Sequence, residues 1–231
     1  MQARVVPPLR GAQWLLSGWR LFAAAPLGWL AVVFVYWVCI MLISLLPFGS
    51  AAAPLLIPAF SVGFMAAGRA AARGAPVELA QLFDGFRTSL KPQLWLGTLY
   101  LACLVALVLL SGASPREMPN ELTGGLLAAG VLYVPVMMAF WFAPVLAAWH
   151  GVSPGKSLFF SLVACLVNWR AFLVYGALTV LLPVLVLLAF VQAVGAAALR
   201  AIVVPLIILV LPTLLASFYA SYRDVFAGDS A

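Results

Sequence analysis

Long charge-free stretches dominate the chain and are separated by short segments that carry most of its charged residues. The longest, Leu21–Gly68, has 48 residues without a charge, and Pro47-Phe48-Gly49-Ser50 near its middle is typical of a turn. Because a helix crosses about 30 Å of hydrocarbon with about 20 residues, this stretch predicts two crossings. Four further charge-free stretches each have the length of one crossing: Pro92–Pro115, Leu122–Trp149, Ala171–Leu199 and Ala201–Tyr222.

This pattern predicts an all-α polytopic membrane protein with six transmembrane helices. The expected spans are 27–46, 51–68, 93–111, 124–148, 171–193 and 201–219. A single apolar segment in lipid satisfies its backbone hydrogen bonds only as a helix, and the sequence lacks the alternating polarity of barrel strands. We expect the whole chain, 1–231, to form a single integral membrane domain.

The composition excludes the main alternatives to a membrane protein. Of the 231 residues, 66% are hydrophobic and 8% are charged, whereas a soluble globular chain has about 25% charged residues. Disordered chains, coiled coils and secreted disulfide scaffolds are excluded by the same composition. Cys39, Cys103 and Cys165 all fall in apolar segments, where we expect them to act as small buried hydrophobic residues.

The distribution of Lys and Arg predicts the orientation, because positive residues concentrate on the cytoplasmic side. With the N-terminus inside, the outer side holds only Arg116 and Arg200. The inner side then holds the other ten basic residues: Arg4, Arg10, Arg20, Arg69, Arg73, Arg87, Lys91, Lys156, Arg170 and Arg223. Both termini are therefore predicted to be cytoplasmic.

Three partly polar segments precede pairs of crossings and end in Trp19-Arg20, Phe86-Arg87 and Trp169-Arg170. Polar and apolar residues alternate in them at helical spacing, which predicts three cytoplasmic interfacial helices. The second, fourth and sixth spans each carry two prolines. The pattern suggests a three-fold internal repeat of an interfacial helix and a hairpin, near 10–72, 75–150 and 153–222.

No recognised catalytic pattern is present in the sequence, and His150 is its single histidine. We therefore expect a protein that is not an enzyme and has no cofactor or metal, and we expect no nucleic-acid partner. No charged residue falls in the middle of a predicted span, which argues against an ion-driven transporter. An enzyme at the cytoplasmic interface would require two or more of Asp84, His150 and Asp224 to converge in one cleft.

The basic inner-side residues point to lipid. Four of them cluster around one inner loop (Arg69, Arg73, Arg87 and Lys91), where each gains about 1 kcal/mol from anionic lipid. The expected partners are anionic headgroups on the cytoplasmic side, with a membrane-protein partner left open. The candidate functional or interface residues are Arg20, Arg69, Arg73, Arg87, Arg170, Tyr222, Arg223 and Asp224.

Three features of the sequence bear on function and packing. Paired prolines also favour a second function, a small carrier or channel for an apolar or amphipathic solute. Arg223 and Asp224 either form a local salt bridge or anchor the chain at the interface together with Tyr222. Small residues at Ala59, Gly63 and Ala67 predict close packing within the chain rather than a dimer face.

Several short segments resemble an uncharacterised family of proteobacterial integral membrane proteins. They are Leu21-Phe22 with Pro26, Phe83-x-Gly-Phe86-Arg, Phe142-Ala-Pro144 and the closing Ser221-Tyr222-Arg223-Asp224-Val225-Phe226. The resemblance implies an inner-membrane location and no established activity. More distantly, the layout is similar to the membrane domain found with some glycerophosphodiester phosphodiesterases, whose catalytic barrel this chain lacks.

Overall fold

The computed structural model describes residues 3–112, 124–194 and 199–227, and within them the long charge-free stretches are mainly helical. The helices within these ranges are α1 (Arg10–Ala24), α2 (Pro26–Ser44), α3 (Gly49–Ala72), α4 (Leu79–Leu82), α5 (Asp84–Thr88), α6 (Leu90–Ser111), α7 (Gly124–His150), α8 (Pro154–Val167), α9 (Trp169–Val194) and α10 (Leu199–Tyr222), followed by a short π-helix at Arg223–Ala227. Six of them, α2, α3, α6, α7, α9 and α10, are long and apolar enough to cross a membrane. They confirm the six predicted spans to within a few residues at each end.

Proline and glycine set several of the helix boundaries. Pro26 opens α2 directly after α1, and Pro154 opens α8, because a missing backbone N–H costs nothing in the first turn of a helix. Gly151 follows α7 with φ of 62°, a left-handed conformation that favours glycine at the end of a helix. The predicted turn between α2 and α3 is also confirmed, since α3 begins at Gly49.

The second predicted interfacial helix differs from the expectation of one continuous element, because α4 and α5 are separated at Phe83. Both short helices lie against small residues of α3. The Leu82 backbone reaches Gly63, and the Gly85 backbone reaches Ala59, so closely that a Cβ on either glycine would overlap the other chain segment. Ala59, Gly63 and Ala67 are all buried, which confirms that this series of small residues packs within the chain.

By their internal contacts, the helices fall into two units. The first unit contains Met1–Trp37, Gly63–Leu82 and Val167–Ala231, and the second contains Val38–Val62 and Phe83–Leu166. The single membrane domain and the three-fold repeat stay predictions, as does the interfacial position of α1, α4, α5 and α8.

Two glycines bring α1 close to its neighbours in the first unit. A Cβ on Gly11 would lie 2.8 Å from the Tyr175 nitrogen of α9, and one on Gly18 would lie 2.7 Å from the Ser217 Cβ of α10. Trp14 between them is buried and its ring lies 5.1 Å from that of Phe172. Since the start of α1 lies at Asp224 and Gly18 lies beside Ser217, α1 runs antiparallel to the last turns of α10.

In the second unit, a serine hydroxyl satisfies the backbone of α7 next to a proline. The Ser161 hydroxyl donates to the Met138 carbonyl at 2.7 Å and accepts the Phe142 N–H at 2.9 Å. These two backbone groups are normal i and i+4 partners, so the hydroxyl lies in the hydrogen-bond ladder of α7 two residues before Pro144. Burial raises the pKa of the nearby Cys165 thiol to about 12, so the thiol stays protonated and faces the same Met138 carbonyl.

The outward faces of the helices are apolar, and several inward faces carry polar groups. On α8, Ser157 and Ser161 are fully buried, whereas Phe159 is 61% exposed. On α9, only 6% of the most apolar 18-residue segment is buried inside the protein. Apolar side chains outside and polar side chains inside are the reverse of the arrangement in a water-soluble protein. The chain is therefore a multi-pass membrane protein.

Replacing Gly18 with alanine tests the close approach of α1. Gly18→Ala should lower the melting temperature in mild detergent, because a backbone or Ser217 shift is needed to admit the methyl group. Gly130→Ala in α7 is the matched control, since nothing lies within 4 Å of a Cβ there. That control should be neutral or slightly stabilising, because alanine favours the helix by about 1 kcal/mol over glycine. Equal melting temperatures for the two variants would contradict the packing of α1.

Candidate functional site

A charged cluster joins the two ends of the chain within the first unit. The Asp224 carboxylate accepts hydrogen bonds from Arg10 Nε at 2.8 Å and from the indole N–H of Trp14 at 2.7 Å. A second Arg10 nitrogen lies 2.5 Å from the other Asp224 oxygen, which makes the pair bidentate. Arg10 also donates to Gln13 at 3.0 Å. This ion pair connects residues 214 positions apart in the sequence.

Hydrogen bonds from the N-terminal segment extend the cluster. The Arg4 N–H donates to the Val225 carbonyl at 2.9 Å. The buried Asn168 side chain accepts the Val6 N–H at 2.7 Å and donates to the Arg4 carbonyl at 2.9 Å. We refer to the whole set as the terminal clasp: Arg4, Val6, Arg10, Trp14, Asn168, Asp224 and Val225.

Local sequence explains why Asp224 points inward. The π-helix at Arg223–Ala227 follows α10 directly, and within it Val225 is fully buried. Tyr222 is also buried, and its ring lies 5.8 Å from that of Phe226. With Tyr222 and Val225 anchored in the interior, the Asp224 side chain is only 9% exposed and faces α1.

An apolar cleft lies beside the clasp in the same unit, between α1, α9 and α10. Its volume is about 380 Å³. Apart from two threonines, its lining is apolar: Ala12, Leu15, Leu16, Trp19, Leu178, Thr179, Leu182, Pro183, Leu209, Val210, Thr213 and Leu214. The α9 and α10 residues of the apolar cleft lie near the middle of their helices, so the cleft is at mid-length of two candidate membrane spans.

The predicted candidate residues fall into two groups by exposure. Arg69 and Arg223 are half-buried, and Tyr222 and Asp224 lie in the packed segment where α10 passes into the π-helix. Four arginines are exposed to the surroundings: Arg20, Arg73, Arg87 and Arg170. The Arg170 guanidinium lies 5.4 Å above the ring of the neighbouring Trp169, which is a cation–π contact.

The local salt bridge predicted between Arg223 and Asp224 is wrong, and the anchoring of this motif at the interface stays a prediction. The ion-pair partner of Asp224 is Arg10 rather than the neighbouring Arg223. Sequence reasoning missed Arg10, Trp14 and Asn168, because their contacts to the C-terminal end depend on how α1 packs. One signal was available: a carboxylate that follows an apolar helix needs a cation or donor, and Arg10 and Trp14 lie one helical turn apart on α1.

Removing the carboxylate tests the terminal clasp. Asp224→Ala should lower the free energy of unfolding by about 1–3 kcal/mol, because it leaves the Arg10 guanidinium and the Trp14 N–H without their acceptor. Thermal melting in detergent measures this, with Glu78→Ala as the control at an exposed acidic residue. A melting temperature equal to that of the control would contradict the clasp.

Comparison with known proteins finds a relative that matches almost the whole chain. The chain is 40% identical over 255 aligned residues to a probable inner membrane protein of Burkholderia thailandensis, with 98% of this chain and 94% of that protein covered. No family model matches the chain and no solved structure matches it. The similarity to phosphodiesterase membrane domains therefore stays a prediction. The chain belongs to the family of this probable inner membrane protein.

Proposed function

We propose that this protein is a non-enzymatic component of the bacterial inner membrane that acts by binding membrane lipid, with anionic headgroups held at its cytoplasmic side. The name of the relative supports the inner-membrane location. The ten-to-two distribution of basic residues supports cytoplasmic termini, and an even number of crossings is consistent with it.

The observation that carries the proposal is the exposure of cations at helix ends. Arg73 follows α3, Arg87 and Lys91 flank the start of α6, and Arg170 lies in the first turn of α9. All four side chains are exposed, and the ion pair found among the described residues uses Arg10 instead. These cations are therefore available to phosphate-bearing headgroups, while the helices beyond them present apolar side chains to acyl chains.

Trp169 and Arg170 support the same arrangement at the start of α9. Trp169 is 50% exposed, and tryptophan is enriched at the boundary between headgroups and hydrocarbon. The cation–π contact holds the Arg170 charge beside this ring. Such a pair suits the headgroup level of a bilayer. The buried carboxylate of Asp224 is occupied by the terminal clasp and is not offered to a substrate.

The apolar cleft favours a second function, a carrier for an apolar or amphipathic solute. Pro183 lines the cleft, and Pro205 and Pro212 lie within the same α10 that forms one wall. Prolines in membrane helices free backbone carbonyls and allow the helix to bend. Transport of a radiolabelled fatty acid or phospholipid across vesicles that contain the purified protein would distinguish a carrier from a lipid-binding protein.

Headgroup binding is tested by removing charge from exposed residues. Wild-type protein should melt at a higher temperature in phosphatidylglycerol nanodiscs than in phosphatidylcholine nanodiscs. A variant with Arg73→Gln, Arg87→Gln and Lys91→Gln should lose most of this difference, because each cation contributes about 1 kcal/mol near an anionic surface. The control is a variant with Arg116→Gln and Arg200→Gln, which removes charge from the predicted outer side. An equal phosphatidylglycerol effect in wild type and the triple variant would contradict the proposal.

A further inference from the structure

The two threonine hydroxyls in the walls of the apolar cleft already donate within their own helices. The Thr213 hydroxyl donates to the Leu209 carbonyl of its own helix at 2.7 Å. The Thr179 hydroxyl donates to the carbonyls of Tyr175 and Gly176, also within its own helix. A molecule in the cleft therefore gains mainly apolar contact, because the other ten lining residues are apolar.

The rim of the cleft opens toward the hydrocarbon that surrounds a membrane protein. Leu16 is 50% exposed on α1, Leu182 is 57% exposed on α9, and Leu209 is 44% exposed on α10. These three side chains come from the three helices that line the cleft. A hydrophobic ligand would enter from the bilayer without crossing water or displacing a charge.

The volume of the cleft suits a small ligand such as one acyl chain better than an enclosed helix of a partner protein. A helix about 10 Å wide would fill 380 Å³ with about 5 Å of its length, which is less than one turn. The cleft therefore cannot enclose even one turn of a helix from another protein. Its volume lies within the range of about 300–1,000 Å³ that is typical of small-ligand sites.

We propose that the apolar cleft between α1, α9 and α10 binds one acyl chain of a membrane lipid. This inference rests on the proposed lipid-binding function and adds to it a defined hydrocarbon site. The close approach of α1 at Gly11 and Gly18 holds α1 against α9 and α10, and the residues of α1 on the adjacent side form the third wall of the site. Since the walls are almost entirely apolar, the site distinguishes ligands by their hydrocarbon part.

Photolabelling tests the site directly. The full-length protein is reconstituted into phosphatidylcholine vesicles with a phosphatidylcholine that carries a diazirine in one acyl chain, irradiated, and mapped by peptide mass spectrometry. Labels should concentrate on cleft residues such as Leu182 and Leu209 rather than on equally exposed residues of α9 such as Leu185. An even distribution over the exposed residues of α9 would overturn the proposal and would indicate ordinary contact with bulk lipid.

Filling the cleft provides a matched pair of variants. Ala12→Phe places a ring in the cleft and should reduce cleft labelling about tenfold, because the ring occupies space in which the acyl chain would bury its own apolar surface. Ala177→Phe is the control, since Ala177 is exposed on α9 and does not line the cleft. Leu182→Trp, at an exposed position, provides a second blocking variant if Ala12→Phe fails to fold. Unchanged labelling in both blocking variants would overturn the proposal.

The two experiments test headgroup binding and the acyl-chain site independently, so either proposal can be contradicted without the other. The photolabelling uses only zwitterionic lipid, so its outcome does not depend on the exposed arginines. If wild-type protein melts at the same temperature in phosphatidylglycerol and phosphatidylcholine nanodiscs while the labels still concentrate in the cleft, only the proposal of headgroup binding is contradicted. If the labels are spread uniformly over the exposed residues while phosphatidylglycerol still raises the melting temperature, only the proposal of an acyl-chain site is contradicted.

Discussion

Hydrocarbon offers no hydrogen-bond partners. This constraint accounts for how most polar groups of the described residues are bonded and for where the apolar side chains lie. Each polar group away from the headgroups must find a partner inside the protein. The Ser161 hydroxyl therefore satisfies two backbone groups of α7, and the Thr179 and Thr213 hydroxyls bond carbonyls of their own helices. The same constraint leaves apolar side chains such as Phe159 on the outside. One buried oxygen, Oε1 of Gln93, has no partner, while its amide nitrogen donates to the Pro144 carbonyl at 3.0 Å.

The first unit shows how a largely apolar chain fixes one arrangement of helices. Apolar packing alone is weakly directional in lipid, so close contact between helices depends on small residues and on a few polar bonds. Gly11 and Gly18 allow α1 to approach α9 and α10, and the Arg10–Asp224 pair sets the position of α1 along α10. The apolar cleft follows from this arrangement, because its third wall is α1. The terminal clasp and the proposed acyl-chain site are therefore parts of one structural arrangement.

The sequence predicts the helices well because span length and hydrophobicity are local properties. The expected span at 171–193 corresponds to α9 at Trp169–Val194, and the turn before Gly49 is found where proline and glycine predict it. The buried face of α1 was less predictable. Trp19 is 47% exposed, whereas the buried face consists of Gly11, Trp14, Gly18 and Phe22. Glycine adds little to a hydrophobic pattern, so a helix face whose glycines allow close packing against a neighbouring helix is easily missed. The pairing of Arg10 with Asp224 lies beyond any local pattern, because it joins opposite ends of the chain.

Collision rates of spin labels on α9 test most directly whether hydrocarbon surrounds this protein. Nitroxide labels at Leu181, Leu185 and Leu188, all more than half exposed, are measured in vesicles with oxygen, which partitions into lipid, and with a water-soluble nickel complex. We expect oxygen collisions to dominate at all three positions, because they face acyl chains. Dominant collisions with the nickel complex would place α9 in water and would contradict the account.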